Sequence, residues 1–161
     1  MSENLYTLEG EQPNPELTER MVDSAEKLLG YKLPEAYLTI LKELNGGYLH
    51  KFIFELAEKI EGQGDFVCMP EMSGIGYERG IDGEYGSPYL IKEWGYPNTG
   101  IVISSEGHTA IMLNYSICGT EGEPSVVFVD VEWHDGPRTA LLARNFSEFY
   151  NSLKESEDEV W

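Results

Sequence analysis

The end of one helix and a complete second helix near the N-terminus constrain the fold most, and both lie in the stretch LLGYKLPEAYLTILKELNGG, residues 28–47. Gly30 follows the last apolar residues of the first helix and suits the left-handed conformation in which helices often end. Pro34 begins the second helix, because the N–H that proline lacks is unpaired at the first helical position. Asn45-Gly46-Gly47 ends it. One buried stripe at helical spacing comprises Tyr37, Ile40, Leu41 and Leu44. These side chains carry no chemistry, so the pair is a scaffold.

Helices are predicted at both ends of the chain. The first begins at Asn14, which can cap it, with Pro15 in its first turn. Its apolar stripe comprises Met21, Val22, Ala25, Leu28 and Leu29. Asn145 and Glu148 form a capping box that starts the last helix. The stripe of that helix comprises Phe146, Phe149, Tyr150 and Leu153.

The middle of the chain is predicted to be mostly strand. Aromatic and β-branched runs predict strands at 48–56, 65–69, 100–104, 109–115 and 125–133, with a short helix at 88–94. The spacing of the last three strands suits an antiparallel meander. The predicted fold is therefore α+β, with a mainly antiparallel twisted sheet and helices packed at both chain ends.

Length and segment composition predict one domain over residues 1–161, with 1–13 as a loose N-terminal arm and 155–161 as an acidic tail. No apolar run reaches the ~18 residues of a transmembrane helix. The first residues are acidic and lack the apolar core of a signal peptide. Two cysteines are too few for a disulfide framework, so we expect a cytoplasmic protein with free thiols.

Acidity is the strongest signal in the composition. Twenty-nine acidic residues against eleven lysines and arginines give a net charge of −18. Such a surface repels nucleic acid and anionic membranes and attracts cationic partners. Solubility alone is the competing explanation, but a surface tuned only for solubility normally intersperses both signs. From Glu93 to Pro137 the chain has no lysine or arginine.

Candidate partner-binding residues come from this base-free stretch: Glu106, Glu121, Glu123, Asp130, Glu132 and Asp135. Strand parity places Asp130 and Glu132 on one face, and Glu106 and Glu121 in flanking turns could join them at the sheet end. Val127, Val129, Val131 and Trp133 are predicted to face the core. The other face then passes from Val126 and Phe128 to the acids, which suits either a binding site or a sheet half covered by a helix.

No catalytic or metal site is predicted, and no cofactor. Residues 74–80, GIGYERG, miss the dinucleotide pattern because Arg79 stands at the last glycine position. Cys68 and Cys118 have no local histidine pattern of a nucleophile pair. Asp130, Glu132, His134 and Asp135 lack the ligand spacing of a zinc or calcium site.

The order of motifs resembles the SUKH superfamily of Smi/Knr-like domains. The resemblance rests on LGYKLPEAYLTILKELNGG, then GIVISSEGHTAIMLNY, PSVVFVDVEW and NFSEFYNSL, and covers residues 28–153. The sequence departs from the family pattern in the turn at 104–108, which has fewer acids and glycines, and at Asn114, where aspartate is common. The loop at 62–86 aligns with nothing in the pattern.

The resemblance implies a non-enzymatic domain of the bacterial immunity-protein type, which neutralises a toxin by binding it. The charge balance separately indicates a cationic partner, and toxins that cut nucleic acid are usually basic where they bind phosphate. We therefore expect a cognate, basic, nuclease-type protein toxin as partner, no nucleic acid or membrane partner, and a monomer or weak dimer. A regulatory or scaffold module without a toxin remains the alternative.

Overall fold

The computed structural model describes residues 4–133 and 136–156. Its elements, in chain order, are β1 (Leu5–Tyr6), α1 (Glu19–Leu29), α2 (Glu35–Glu43), β2 (Gly47–Leu49), β3 (Ile53–Ile60), β4 (Gly64–Cys68), β5 (Glu71–Met72), α3 (Ser87–Trp94), β6 (Gly100–Ser105), β7 (Thr109–Asn114), β8 (Ser125–Asp130), β9 (Arg138–Ala143) and α4 (Phe146–Asn151). All strand pairs are antiparallel. The α+β prediction is confirmed.

A four-stranded meander in the order β6-β7-β8-β9 is the centre of the fold. The predicted meander is confirmed, with two corrections. β8 ends at Asp130, three residues before its predicted end, because the Asp130 side chain accepts a hydrogen bond from the N–H of Glu132 at 3.0 Å and turns the chain. β9 was not predicted, because its sequence RTALLA lacks a clear strand pattern and depends on pairing with β8.

Both faces of this sheet are buried. Val126 and Phe128 belong to the larger core, which also contains Tyr37 of α2 and Phe149 of α4. The opposite face, predicted to meet the core, packs against α3 in a smaller cluster that comprises Tyr96, Val102, Ala110, Met112, Val127 and Val129, with Val131 partly buried beside it. The prediction of an outward-facing Val126 and Phe128 is wrong, and coverage by helices is the correct alternative.

The N-terminal segment is docked where a loose arm was expected. β1 pairs with β2, and Leu5 is buried. Asn4 exchanges hydrogen bonds with the backbone of Lys51, which interrupts the strand predicted over 48–56 and divides it into β2 and β3. These two strands belong to different sheets.

The first helix begins later than predicted. Thr18 is its N-cap and accepts from the N–H of Met21 at 3.2 Å. Asn14 instead donates to the carbonyl of Asn45 at 2.9 Å, and so ties the approach to α1 to the end of α2. Gly30 ends α1 at φ +82°, as predicted. Leu28 is exposed, so the predicted apolar stripe holds only in part.

The second helix is confirmed as a core element. Tyr37 and Leu41 are fully buried, and the Tyr37 hydroxyl donates to the carbonyl of Ser73 at 2.5 Å. Burial raises the pKa of that phenol well above its usual value. Pro34 is the N-cap residue, one position before the helix starts.

Asn45, two residues after the end of α2, organises the loop at 73–86, which we call the glycine-rich loop and which sequence patterns left unassigned. Its side chain is buried, accepts from the N–H of Ile75 at 2.8 Å, and donates to the carbonyls of Ile75 at 2.7 Å and Pro15 at 2.8 Å. A Cβ on Gly74 would lie 2.3 Å from the Asn45 Oδ1, so only glycine fits there. The loop is thereby held against α2.

The last helix begins at the predicted cap. Asn145 accepts from the N–H of Glu148 at 2.8 Å. The Glu148 carboxylate pairs with Arg144 at 2.7 Å on the surface, and this ion pair lowers its pKa. Phe146 and Phe149 are fully buried.

In the part of the chain that the structure describes, none of the helices has the length and apolar character that a membrane-spanning helix needs.

Candidate partner-binding surface

The turn between β6 and β7 carries two of the exposed polar residues at one end of the sheet. The N–H of Glu106 donates to the carbonyl of Thr109 at 2.9 Å, and Gly107 supplies the left-handed residue at φ +85°. Glu106 and His108 are exposed. His108 Nδ1 lies 3.7 Å from a carboxylate oxygen of Glu132, which follows β8 at the same end. Glu106, His108 and Glu132 are therefore grouped by the turn geometry, and we call them the acidic end.

Asp130 lies at this end but has a structural role. Its carboxylate is 3.7 Å from the guanidinium of Arg138, its cross-strand neighbour on β9. The Asp130 side chain is only 13% exposed. The expectation that Asp130 and Glu132 form an exposed, matched pair is wrong, because β8 ends between them and β9 covers the first.

Arg138 is the residue that sequence reasoning missed here. Its guanidinium also lies 3.6 Å from the ring centroid of Trp133 and donates to the carbonyl of Glu61 in the turn after β3. The stretch from Glu93 to Pro137 has no lysine or arginine of its own, but in the folded protein Arg138 lies beside one of its carboxylates. A strand prediction for residues 138–143 would have been needed to find this contact.

Glu121 and Glu123 are exposed at the opposite end of the sheet. They lie in the connection between β7 and β8, so the length of a six-residue strand, roughly 17 Å, separates them from the acidic end. Their loop is tied to the connection between α1 and α2 by the hydrogen bond from Lys32 N–H to the Thr120 carbonyl at 2.8 Å. The expectation that Glu121 joins Asp130 at one sheet end is wrong. Asp135 and His134 lie outside the described residues.

The two cysteines have environments that disfavour the thiolate. Burial raises the pKa of Cys68, with a contribution from Glu106, and burial and Glu123 raise that of Cys118. A raised pKa leaves less of the nucleophilic form at neutral pH. Within residues 4–133 and 136–156, no group of three histidine, cysteine, aspartate or glutamate side chains could hold a metal ion.

Comparison with protein-family models gives a match over most of the chain. The SMI1 / KNR4 family (SUKH-1) matches residues 16–152, which extend from just before α1 to just after α4. No curated protein and no solved structure matches the chain. Because the family match covers most of the sequence, the chain belongs to the SMI1/KNR4 (SUKH-1) family.

Proposed function

We propose that this protein is a non-enzymatic immunity protein that acts in the cytoplasm by binding and neutralising a cognate basic toxin of the nuclease type. The proposal rests on membership of the SUKH-1 family, because this membership is consistent with an immunity protein. The partner is then a protein, which gives the strong acidity of the chain a use beyond solubility.

Charge supports a basic partner. At −18 the chain attracts cationic proteins and accelerates their encounter. A nuclease exposes cationic groups where it binds phosphate, so an acidic protein can occupy the same surface. Occupying that surface would block the toxin without any chemical step by the immunity protein.

The acidic end is the proposed centre of this contact. Glu106 and Glu132 project carboxylates from adjoining turns, and both are exposed. Asp130 supports them by bonding the backbone of Glu132, and Asp135 follows in the chain. Glu121 and Glu123 would reach the same partner only if it extended along the whole sheet, and so we assign them a secondary contribution.

Co-expression tests the proposal. Reading frames next to the gene are examined for a large secreted protein with a basic C-terminal domain, and that domain is expressed with or without this chain. We expect the domain to arrest growth alone and to be tolerated when the chain is present, with the two proteins co-purifying. Growth arrest that the chain does not relieve would contradict the proposal. A solitary gene would favour the regulatory-module alternative.

A further inference from the structure

A groove on the face formed by β5, the glycine-rich loop and α3 belongs to none of the surfaces described above. It consists of two adjoining cavities of about 530 and 270 Å³ that share Glu71, Ser73 and Arg79. The larger cavity extends toward Glu11 in the N-terminal segment, and the smaller one toward Trp94 at the end of α3. We call this surface the Arg79 groove.

The groove has a fixed floor. Gly46 and Gly47 line the larger cavity, and a Cβ on Gly46 would lie 2.4 Å from the hydroxyl of Tyr77. That hydroxyl accepts from the N–H of Gly74 at 2.7 Å, so the ring is held in place across the floor. The glycines after α2 thus permit the close approach on which the groove depends. A preformed surface of this kind lowers the ordering cost of binding.

Its rim carries the residue types that dominate protein interfaces. Tyr85 and Trp94 line the smaller cavity and are 39% and 42% exposed, although both are large aromatics. Tyr89 packs edge-on against Tyr85 with the ring centroids 5.2 Å apart, and is similarly exposed. Tryptophan, tyrosine and arginine are the residues enriched among binding hot spots.

The charge of the groove is negative despite Arg79. Glu11, Glu71 and Glu78 line the larger cavity beside this single base. Glu71 and, less strongly, Glu11 raise the pKa of Tyr48, and Arg79 lowers it by a smaller amount. At Glu71 itself burial raises the pKa and Arg79 opposes that increase. A cation entering the groove would meet carboxylates in the larger cavity and aromatic side chains beside Glu71 in the smaller one, and both environments bind arginine and lysine.

The groove also adjoins the acidic end. Ser105 and Gly107, which flank Glu106, line the smaller cavity, and a Cβ on Gly107 would lie 3.5 Å from the Trp94 ring. A partner held at Glu106 can therefore extend into the groove without leaving the protein surface.

We propose that the Arg79 groove binds an extended basic segment of the partner protein, with its cationic side chains between the Glu71 carboxylate and the aromatic faces of Tyr85 and Trp94. This inference rests on the proposed function for the identity of the partner, but the recognition itself is a property of the groove. Arg79 limits the affinity, because its charge repels the segment.

The test uses a defined peptide, so it does not depend on the toxin. A short acetylated and amidated peptide of alternating arginine and glycine is titrated into the full-length ¹⁵N-labelled protein at physiological salt. The chain has three tryptophans, and the indole N–H signal of Trp94 is assigned with Trp94→Phe. We expect a saturable shift of this signal, and no saturable shift with the citrulline peptide, which has the same shape without the charge.

Two variants with opposite expected effects separate the groove from general acidity. Glu71→Gln should weaken the peptide by about threefold to tenfold, and Arg79→Gln should strengthen it by a similar factor. Matched controls outside the groove are Glu58→Gln on β3 and Lys42→Gln on α2, both exposed, which should change affinity by less than about twofold. Two-dimensional spectra confirm that each variant is folded.

The inference would be overturned by the absence of a saturable shift of the Trp94 signal, by equal binding of the citrulline peptide, or by equal effects of the groove and control variants. A Trp94 signal that shifts with protein concentration alone would assign the groove to self-association and overturn it as well. Failure of the toxin experiment with success here would reject the immunity function while keeping the basic-segment site.

Discussion

Replacing Asn45 with alanine should cause a large loss of stability, because this side chain joins three segments. Its amide holds the N–H and the carbonyl of Ile75 in the glycine-rich loop and the carbonyl of Pro15 before α1. Asn45 is only 2% exposed, so water cannot readily replace it. The substitution would remove all three hydrogen bonds and leave a cavity.

The magnitude follows from the partners left behind. A buried polar group without a partner costs about 1–3 kcal/mol. Both groups of Ile75 bond to Asn45 in a buried setting, whereas the Pro15 carbonyl is partly buried and can be rehydrated. We therefore expect Asn45→Ala to lower the free energy of unfolding by about 3–5 kcal/mol. Asn45→Asp keeps the acceptor for the Ile75 N–H but sets an oxygen against two carbonyls, so it should not rescue stability.

Urea denaturation followed by circular dichroism measures this loss. The matched control is Asn151→Ala on α4, an exposed residue whose side chain makes one hydrogen bond of 3.4 Å, and which should cost under about 0.5 kcal/mol. A loss below about 1 kcal/mol for Asn45→Ala would refute the reasoning, since it would mean that the loop does not depend on this side chain. Intact stability of Asn45→Asp would refute it equally.

Three further predictions concern the core, the acidic end and the groove. Leu41→Ala should cost about 2–5 kcal/mol in denaturant melts, because Leu41 is fully buried, whereas the 62% exposed Leu28 should tolerate alanine at under about 0.5 kcal/mol; similar losses at both sites would contradict the core assignment. Asp130→Asn should destabilise by about 1 kcal/mol through loss of its ion pair with β9, whereas Glu132→Gln should have little effect; the reverse order in melts would contradict the structural role of Asp130. Burial raises the pKa of Glu71 above its value in the unfolded chain, so ionising this carboxyl opposes folding and stability is lost as pH rises through its folded pKa. Glu71→Gln should therefore raise the melting temperature at pH 7 and lose this gain below about pH 4, and a gain independent of pH would contradict the prediction.

The elements with strong local patterns were predictable. Tyr37 and Leu41 recur at helical spacing, and Gly30 ends α1 as its position predicts. The three central strands combine β-branched runs with turn residues, so their existence follows from local sequence. These features depend on neighbours within a few positions, which is the range that sequence patterns describe.

The parts that could not be predicted depend on contacts distant in sequence. Asparagine commonly caps helices, but the side-chain amide of Asn14 instead donates a hydrogen bond to the carbonyl of Asn45. β9 exists because it pairs with β8, and only this pairing brings Arg138 to Asp130. The alternation of residues along β8 could not show which face meets the core, because both faces are buried: α3 covers one and the larger core covers the other.

The candidate site was predicted in part for the same reason. Glu106 and Glu132 lie at one sheet end because β6, β7 and β8 form a meander, which the sequence indicated. Glu121 lies at the other end, since it belongs to the next connection along the meander. The Arg79 groove combines the N-terminal segment, the glycine-rich loop and α3, and no pattern in any one of these segments indicates the others.

The central claim is that the acidic end binds a basic protein, and association rates measured at different salt concentrations test it most directly. The basic C-terminal domain encoded beside this gene is the ligand, and association rates are measured over a range of salt concentrations for the wild type, for Glu106→Lys with Glu132→Lys, and for the control Glu16→Lys with Glu58→Lys. We predict a wild-type rate that falls steeply with salt, a reduction of at least about tenfold at low salt for the first variant, and a much smaller change for the control. Equal association rates for the two folded double variants would contradict the claim.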